Sequence, residues 1–261
     1  MKTVPRMILP FLALLFLLGS GLANLLGGGA GNDWLDGLAG DDTLLGQDGN
    51  DILITTILGD RDLLDGGNGD DSLGATGGAS RMIGGSGGDT IVVDGGTVDN
   101  GIYGDNPDGT GGGRDFIMIT GGGVVNANSP AIHAGAGDDT ADIGESTING
   151  DPAIHMGTGD DLVVLRNNSD VNGLIDGGED GPDDNIPDGD IDTLTFAQDN
   201  LSVQEYNRAS QQLEEAAASG SESGSIVLDG EVYHWDNFEQ LLQMLGHVEV
   251  AEPGPPCENL F

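Results

Sequence analysis

From residue 28 onward a large apolar residue recurs at every ninth position, and the residues between are mostly glycine, aspartate, asparagine or other small or polar types. In the units 28–36, 37–45, 46–54, 57–65, 66–74, 75–83 and 84–92 the apolar residue is Leu35, Leu44, Leu53, Leu64, Leu73, Met82 and Ile91. Thr55 and Thr56 interrupt the register once, and the unit 75–83 is degenerate. This spacing predicts very short strands, each sending one side chain inward, joined by tight turns.

Written out, the units are GGAGNDWLD, GLAGDDTLL, GQDGNDILI, ILGDRDLLD, GGNGDDSLG, ATGGASRMI and GGSGGDTIV. They share the pattern G-G-x-G-x-D-x-U-x, with U a large apolar residue. Glycines at positions 1, 2 and 4 reach backbone angles closed to other residues. Aspartate at position 6 supplies a hard oxygen. Two units make a coil of 18 residues, and coils stack about 4.8 Å apart, as neighbouring strands do. Stacking sets Asp33 beside Asp51 and Asp71 beside Asp89. Rows of carboxylates this close repel unless a cation intervenes. Calcium takes six to eight oxygens from carboxylates and carbonyls at about 2.3–2.6 Å.

The nonapeptide resembles the repeat of the RTX (repeats-in-toxin, haemolysin-type calcium-binding) family, and seven tandem units carry the resemblance. It implies an all-β fold, a right-handed parallel β-roll, with several calcium ions between successive turns and folding that depends on them. The implied ligands here are Asp33, Asp42, Asp51, Asp62, Asp71 and Asp89.

From residue 81 the period lengthens. Units 81–100, 101–130, 131–152 and 153–173 each combine a short strand, a glycine-aspartate turn, a second strand and a loop. The turn aspartates are Asp115, Asp139 and Asp161, and His133 matches His155. A last unit, 174–196, carries an acidic insertion from Asp180 to Asp192. It is read as a solvated surface insertion ahead of an extra calcium loop, with Asp192 kept among the candidate ligands. These coils look similar to the β-helical coils of bacterial surface and autotransporter passenger proteins. Beyond them, helix-forming composition covers Glu205 to Ala218. Strand-like residues 225–235 suggest a hairpin at Asp229-Gly230. Trp235, Phe238, Leu241 and Leu242 are the expected plug for the open end of the array.

Charge strengthens the metal argument. The chain has 45 acidic and 7 basic residues, a formal charge of −38. Such a surface repels nucleic acid and anionic lipid and attracts divalent cations. With 48 glycines and 4% aromatic residues there is little bulk for a core. The single cysteine, Cys257, excludes an intrachain disulfide. Folding is therefore expected to be coupled to metal.

At the N-terminus, Lys2 and Arg6 precede the apolar run Met7 to Leu18, and Gly21-Leu22-Ala23 offers a cleavage site. This predicts a secretory signal, residues 1–23. The alternative is an uncleaved anchor from Met7 to Leu26, about the length that spans a bilayer. Either way the chain is exported. The expected organisation is a β-roll at 24–98, longer β-helical coils at 99–196 and a cap with a tail at 197–261.

No H-E-x-x-H, G-x-S-x-G or phosphate-loop motif is present, so a non-catalytic protein is expected. The enzymatic alternative is a calcium-dependent polysaccharide lyase or epimerase using Arg114 or Arg166 beside the turn acids, but an anionic substrate needs a basic groove. His133 and His155 are read as a repeated surface pair rather than a transition-metal site. Thr43, Thr90, Thr140 and Thr193 follow turn acids irregularly, which argues against ice binding. The expected protein is extracellular and calcium-binding, with a structural or adhesive role toward cell-surface or matrix polysaccharide.

Overall fold

The computed structural model describes residues 15–57, 60–128, 130–178, 192–197, 202–219, 223–228, 230–238 and 240–243. The chain winds as a parallel β-solenoid. One wall is a ten-stranded parallel sheet that stacks, in order, Phe16–Leu18, Trp34–Asp36, Ile52–Thr55, Ser72–Ala75, Thr90–Asp94, Phe116–Thr120, Thr140–Ile143, Leu162–Arg166, Thr193–Ala197 and Gln240–Gln243. The facing wall stacks Leu25–Ala30, Thr43–Asp48, Asp62–Asn68, Gly78–Ser86, Ile102–Asp105, Ile132–Ala136, Ile154–Thr158, Leu174–Gly178 and Glu231–Asp236. Each coil crosses between the walls through the glycine-aspartate turns. The nine-residue apolar positions meet inside: Leu35, Leu44, Leu53, Leu64, Leu73, Met82 and Ile91 are at most 1% exposed.

The cross-section changes at Gly78–Ser86. Gly78 and Ala79 pair with Thr97–Val98, while Met82, Ile83 and Gly85 pair with Ile102–Asp105. A third wall grows from this split: Thr97–Val98, Val124–Asn126, Thr147–Asn149 and Asp170–Asn172. It sends Val98, Val125, Ile148 and Val171 inward. Asn126, Asn149 and Asn172 form a hydrogen-bonded column at 2.8 and 2.9 Å. The third wall widens the core. The first roll coils bury two leucines, Leu35 and Leu44, whereas a later coil buries Ile143, Ile148, Ala153, Ile154 and Met156 together.

The C-terminal end is closed as expected. The helix Val203–Ser219 starts at a capping box. The Ser202 hydroxyl donates to Glu205 Oε2 at 2.5 Å, and the Glu205 N–H donates back to Ser202 Oγ at 3.3 Å. Ala209 and Leu213 are its buried residues. Gly224–Leu228 and Glu231–Asp236 form the hairpin, with Leu228 opposite Glu231 and Gly230 at φ 87. Trp235 and Phe238 are buried, and Gln240–Gln243, which contains Leu241 and Leu242, pairs with the strand Thr193–Ala197.

At the other end, Phe16–Leu18 pairs in register with Trp34–Asp36, and Leu17 and Leu26 pack against the core. The expected cleavage point after Ala23 thus falls inside the first coil. Residues 1–14, the acidic insertion from 180 to 191, Asp229 of the expected hairpin turn, and Cys257 lie outside the described residues. Among the described residues no helix is long and apolar enough to cross a membrane.

Candidate metal centre

The turn aspartates form a ladder on one edge of the solenoid. Each Oδ1 accepts the backbone N–H of the equivalent aspartate one coil earlier. Asp33 donates to Asp51, Asp51 to Asp71, Asp71 to Asp89, Asp115 to Asp139 and Asp139 to Asp161, all at 2.7 Å. Asp89 donates to Asp115 at 2.8 Å and Asp161 to Asp192 at 2.9 Å. The ladder runs unbroken although rungs lie 18 to 31 residues apart in sequence. Both coil types therefore share one turn geometry, which absorbs the insertions elsewhere. A short second row lies on the opposite edge, where Asn24 donates to Asp42 at 2.6 Å and Asp42 to Asp62 at 2.7 Å. It ends at Ser80, whose hydroxyl bonds the Asp62 carbonyl instead. The ten sequence-predicted ligands thus divide into eight on the long row and two on the short one.

The second oxygen carries the chemistry. Oδ2 of Asp33, Asp42, Asp51, Asp71, Asp89, Asp115, Asp139 and Asp161 is buried and has no hydrogen-bond partner. All eight residues are at most 3% exposed. A polar atom is rarely left so, because burying it unpaired costs several kcal/mol on apolar-transfer scales, roughly 2–7. Asp62 differs, since its Oδ2 accepts from the hydroxyl of buried Thr55. Thr55→Val is expected to destabilise the protein by about 1–3 kcal/mol by orphaning that oxygen. Urea midpoints at saturating calcium check this, and an unchanged midpoint would show that the hydroxyl is dispensable.

Glycine lets these oxygens pack closely over the backbone. Gly28, Gly46, Gly66, Gly84 and Gly104 stand in one column of the facing wall. A side chain on any of them would come within 2.6 Å of Oδ2 of its own unit's aspartate. It would also come within 2.8 Å of the next coil's carbonyl. The carboxylate and that carbonyl therefore converge on the space above a bare Cα. On the opposite edge a Cβ on Gly37 would come within 2.8 Å of Asp42 Oδ2, and the Asp42 side chain supplies its nearest neighbours. At position 4, Gly49, Gly69 and Gly87 have φ of 128, 125 and 119, and a Cβ there would strike a carbonyl of the coil before.

Burial dominates the electrostatics. It pushes Asp71 up to about 7, Asp89 to about 8, Asp115 to about 7, Asp139 to about 8 and Asp161 to about 9. The N–H on Oδ1 opposes this, and neighbouring acids add to it. Burial also raises Asp42, Asp51 and Asp62. Such a carboxyl can take a proton or a cation. Among the described residues no three or more His, Cys, Asp or Glu side chains converge as a metal site. The remaining ligands at each rung must therefore come mainly from backbone carbonyls, a hard-oxygen set that suits calcium rather than zinc or copper.

The other candidates are engaged in the scaffold. Tyr103, His133 and His155 stack on successive coils, with ring centroids 6.1 and 5.0 Å apart. His155 Nδ1 lies 3.0 Å from Asp176 Oδ2, and Asn237 Nδ2 donates to Asp176 Oδ1 at 2.8 Å. Burial, then His155, holds His133 below its usual range. Arg114 pairs with Asp138 at 2.6 Å, and Arg166 grips Asp142 through two bonds of 2.5 and 2.6 Å.

Fold and turns together define a β-solenoid of calcium-repeat type. Residues 18–55 match the family model of the RTX calcium-binding nonapeptide repeat, in four copies. The chain thus carries RTX calcium-binding repeats, which are structural rather than catalytic elements. The match reaches upstream of Gly28 into the first coil. No curated protein and no solved structure matches the chain.

Proposed function

We propose that this is an exported structural protein whose solenoid binds calcium between stacked coils and folds as it does so. The observation that carries the reading is the row of buried, unpartnered Oδ2 atoms, those of Asp33, Asp51, Asp71, Asp89 and Asp115 converging with a carbonyl over a glycine Cα and that of Asp42 lying beside Gly37. Asp33, Asp42, Asp51, Asp71, Asp89 and Asp115 are the proposed ligands on that ground. Calcium bound there would neutralise the stacked acids and supply the partner each Oδ2 lacks. Asp62 already has Thr55 as a partner. An export route fits this chemistry, because scarce calcium keeps such a chain unfolded before export and abundant calcium orders it afterwards. A role at a cell surface or in a matrix, in contact with polysaccharide, follows from the same reading.

The test is far-ultraviolet circular dichroism of the chain at neutral pH, titrated with calcium and then magnesium at fixed ionic strength. Calcium is expected to raise the β signal of the chain with a midpoint of about 10⁻⁴–10⁻³ M, the range of extracellular modules. Magnesium should not substitute, since it demands a tight octahedron and holds its water. A β signal that is the same in chelator as in calcium, or an equal response to both ions, would overturn the proposal.

A further inference from the structure

We propose that calcium enters only the rungs whose first turn position is glycine, and that Asp139 and Asp161 stay metal-free because Ala134 and Met156 fill their slots. This rests on the calcium reading above. In the column of first positions, strand register places Gly28, Gly46, Gly66, Gly84, Gly104, Ala134, Met156 and Gly177 one above another. At the first five, a Cβ would collide with Oδ2 and with the next coil's carbonyl, so only a bare Cα lets those two oxygens come together at the corner. At the next two, a side chain occupies that corner. Ala134 and Met156 are fully buried and belong to the apolar core. Calcium needs six to eight oxygens in contact, and a hydrocarbon group at the convergence point removes that contact. Gly177 reopens the space beside Asp192.

The filled corners lie within the wider core, whose third wall begins earlier, at Thr97–Val98. Where the slot is open, the first coils bury two leucines each, Leu35 with Leu44 and Leu53 with Leu64. Where it is filled, a third wall adds Ile148 and Val171, and Met156 fills the corner itself. One part of the solenoid depends on ions at its corners, the other on hydrocarbon. Calcium would then order residues 24–116, while residues 131–178 hold their structure without it.

The experiment is hydrogen–deuterium exchange by mass spectrometry on the whole chain, with calcium and with chelator, at one neutral pH. Protection over 24–116 is expected to disappear in chelator while protection over 131–178 persists. Calcium per chain is then counted by elemental analysis for variants. Asp71→Asn should lose bound calcium, Asp139→Asn and Asp161→Asn should not, and Ala134→Gly with Met156→Gly should gain it. If Asp139→Asn lowers calcium as much as Asp71→Asn, or exchange falls uniformly in chelator, this inference fails and the calcium reading stands. If the wild-type chain binds no calcium, the calcium reading itself fails.

Discussion

In calcium-free buffer the chain is expected to be most stable near pH ~4.5 and to lose stability as the pH rises toward about 8, because the buried ladder carboxyls bind their protons more tightly when folded. Unfolded aspartate titrates near about 3.9. Folded Asp71, Asp89, Asp115, Asp139 and Asp161 are raised to about 7–9, first by burial. The folded state therefore carries more protons across that window, and stability falls with pH through it. Below about 4 the contribution is fully present, and above about 9 it is gone. Each tenfold change in proton affinity is worth about 1.4 kcal/mol. Ionising these buried groups without a counterion therefore opposes folding. The surface acids, at −38 overall, push the same way. At saturating calcium the dependence contributed by Asp71, Asp89 and Asp115 should reverse, because there the metal and the proton compete for the same Oδ2. Thermal melts in chelator and in calcium, from about pH 4 to 9, check both slopes. Equal stability of the chelated chain at both ends would sink the account.

The ladder was largely legible in the chain because its determinants repeat. The inward residues from Leu35 to Ile91 and the aspartates from Asp33 to Asp89 keep one spacing, and the coil geometry follows from it. The first coil was legible in principle. Leu17 and Leu26 continue the nine-residue spacing of Leu35, Leu44 and Leu53. An apolar run hides a period that depends on contrast between apolar and polar positions, so the segment reads as an export signal. Thr55 reads as an interruption, yet the longer coil turns its hydroxyl onto Asp62, a pairing across the core that no local pattern announces. The third wall is hidden for a different reason. Val98, Val125, Ile148 and Val171 lie 27, 23 and 23 residues apart, well outside the nine-residue repeat, and the strand register is what aligns them. Ala134 and Met156 are plain in the sequence as departures from glycine. Their meaning is not, since it depends on an Oδ2 and a carbonyl meeting above that Cα.

Asp89→Asn and Asp89→Ala are expected to behave as opposites when calcium is absent. Asp89 joins the roll to the wider coils: its Oδ1 accepts from Asp71 and its own N–H donates to Asp115. Its Oδ2 and the Gly104 carbonyl close over Gly84 with no donor between them. Asparagine keeps the acceptor for Asp71 and places an amide donor toward the Gly104 carbonyl. The site is then satisfied without metal or proton, so Asp89→Asn should be more stable than wild type in chelator at about pH 8, where wild type must ionise the group. It should also bind less calcium. Alanine removes the acceptor, leaving the buried Asp71 N–H unpaired at about 1–3 kcal/mol, and opens a gap at the junction. Asp89→Ala should therefore fall below wild type in calcium and show no rescue in chelator. Urea midpoints for the three proteins in each buffer make the comparison. If the two variants moved together in chelator, Oδ2 would not be the atom that makes the fold depend on a cation. The defect would then lie in the N–H ladder, which both coil types share and which neither calcium nor pH would tune.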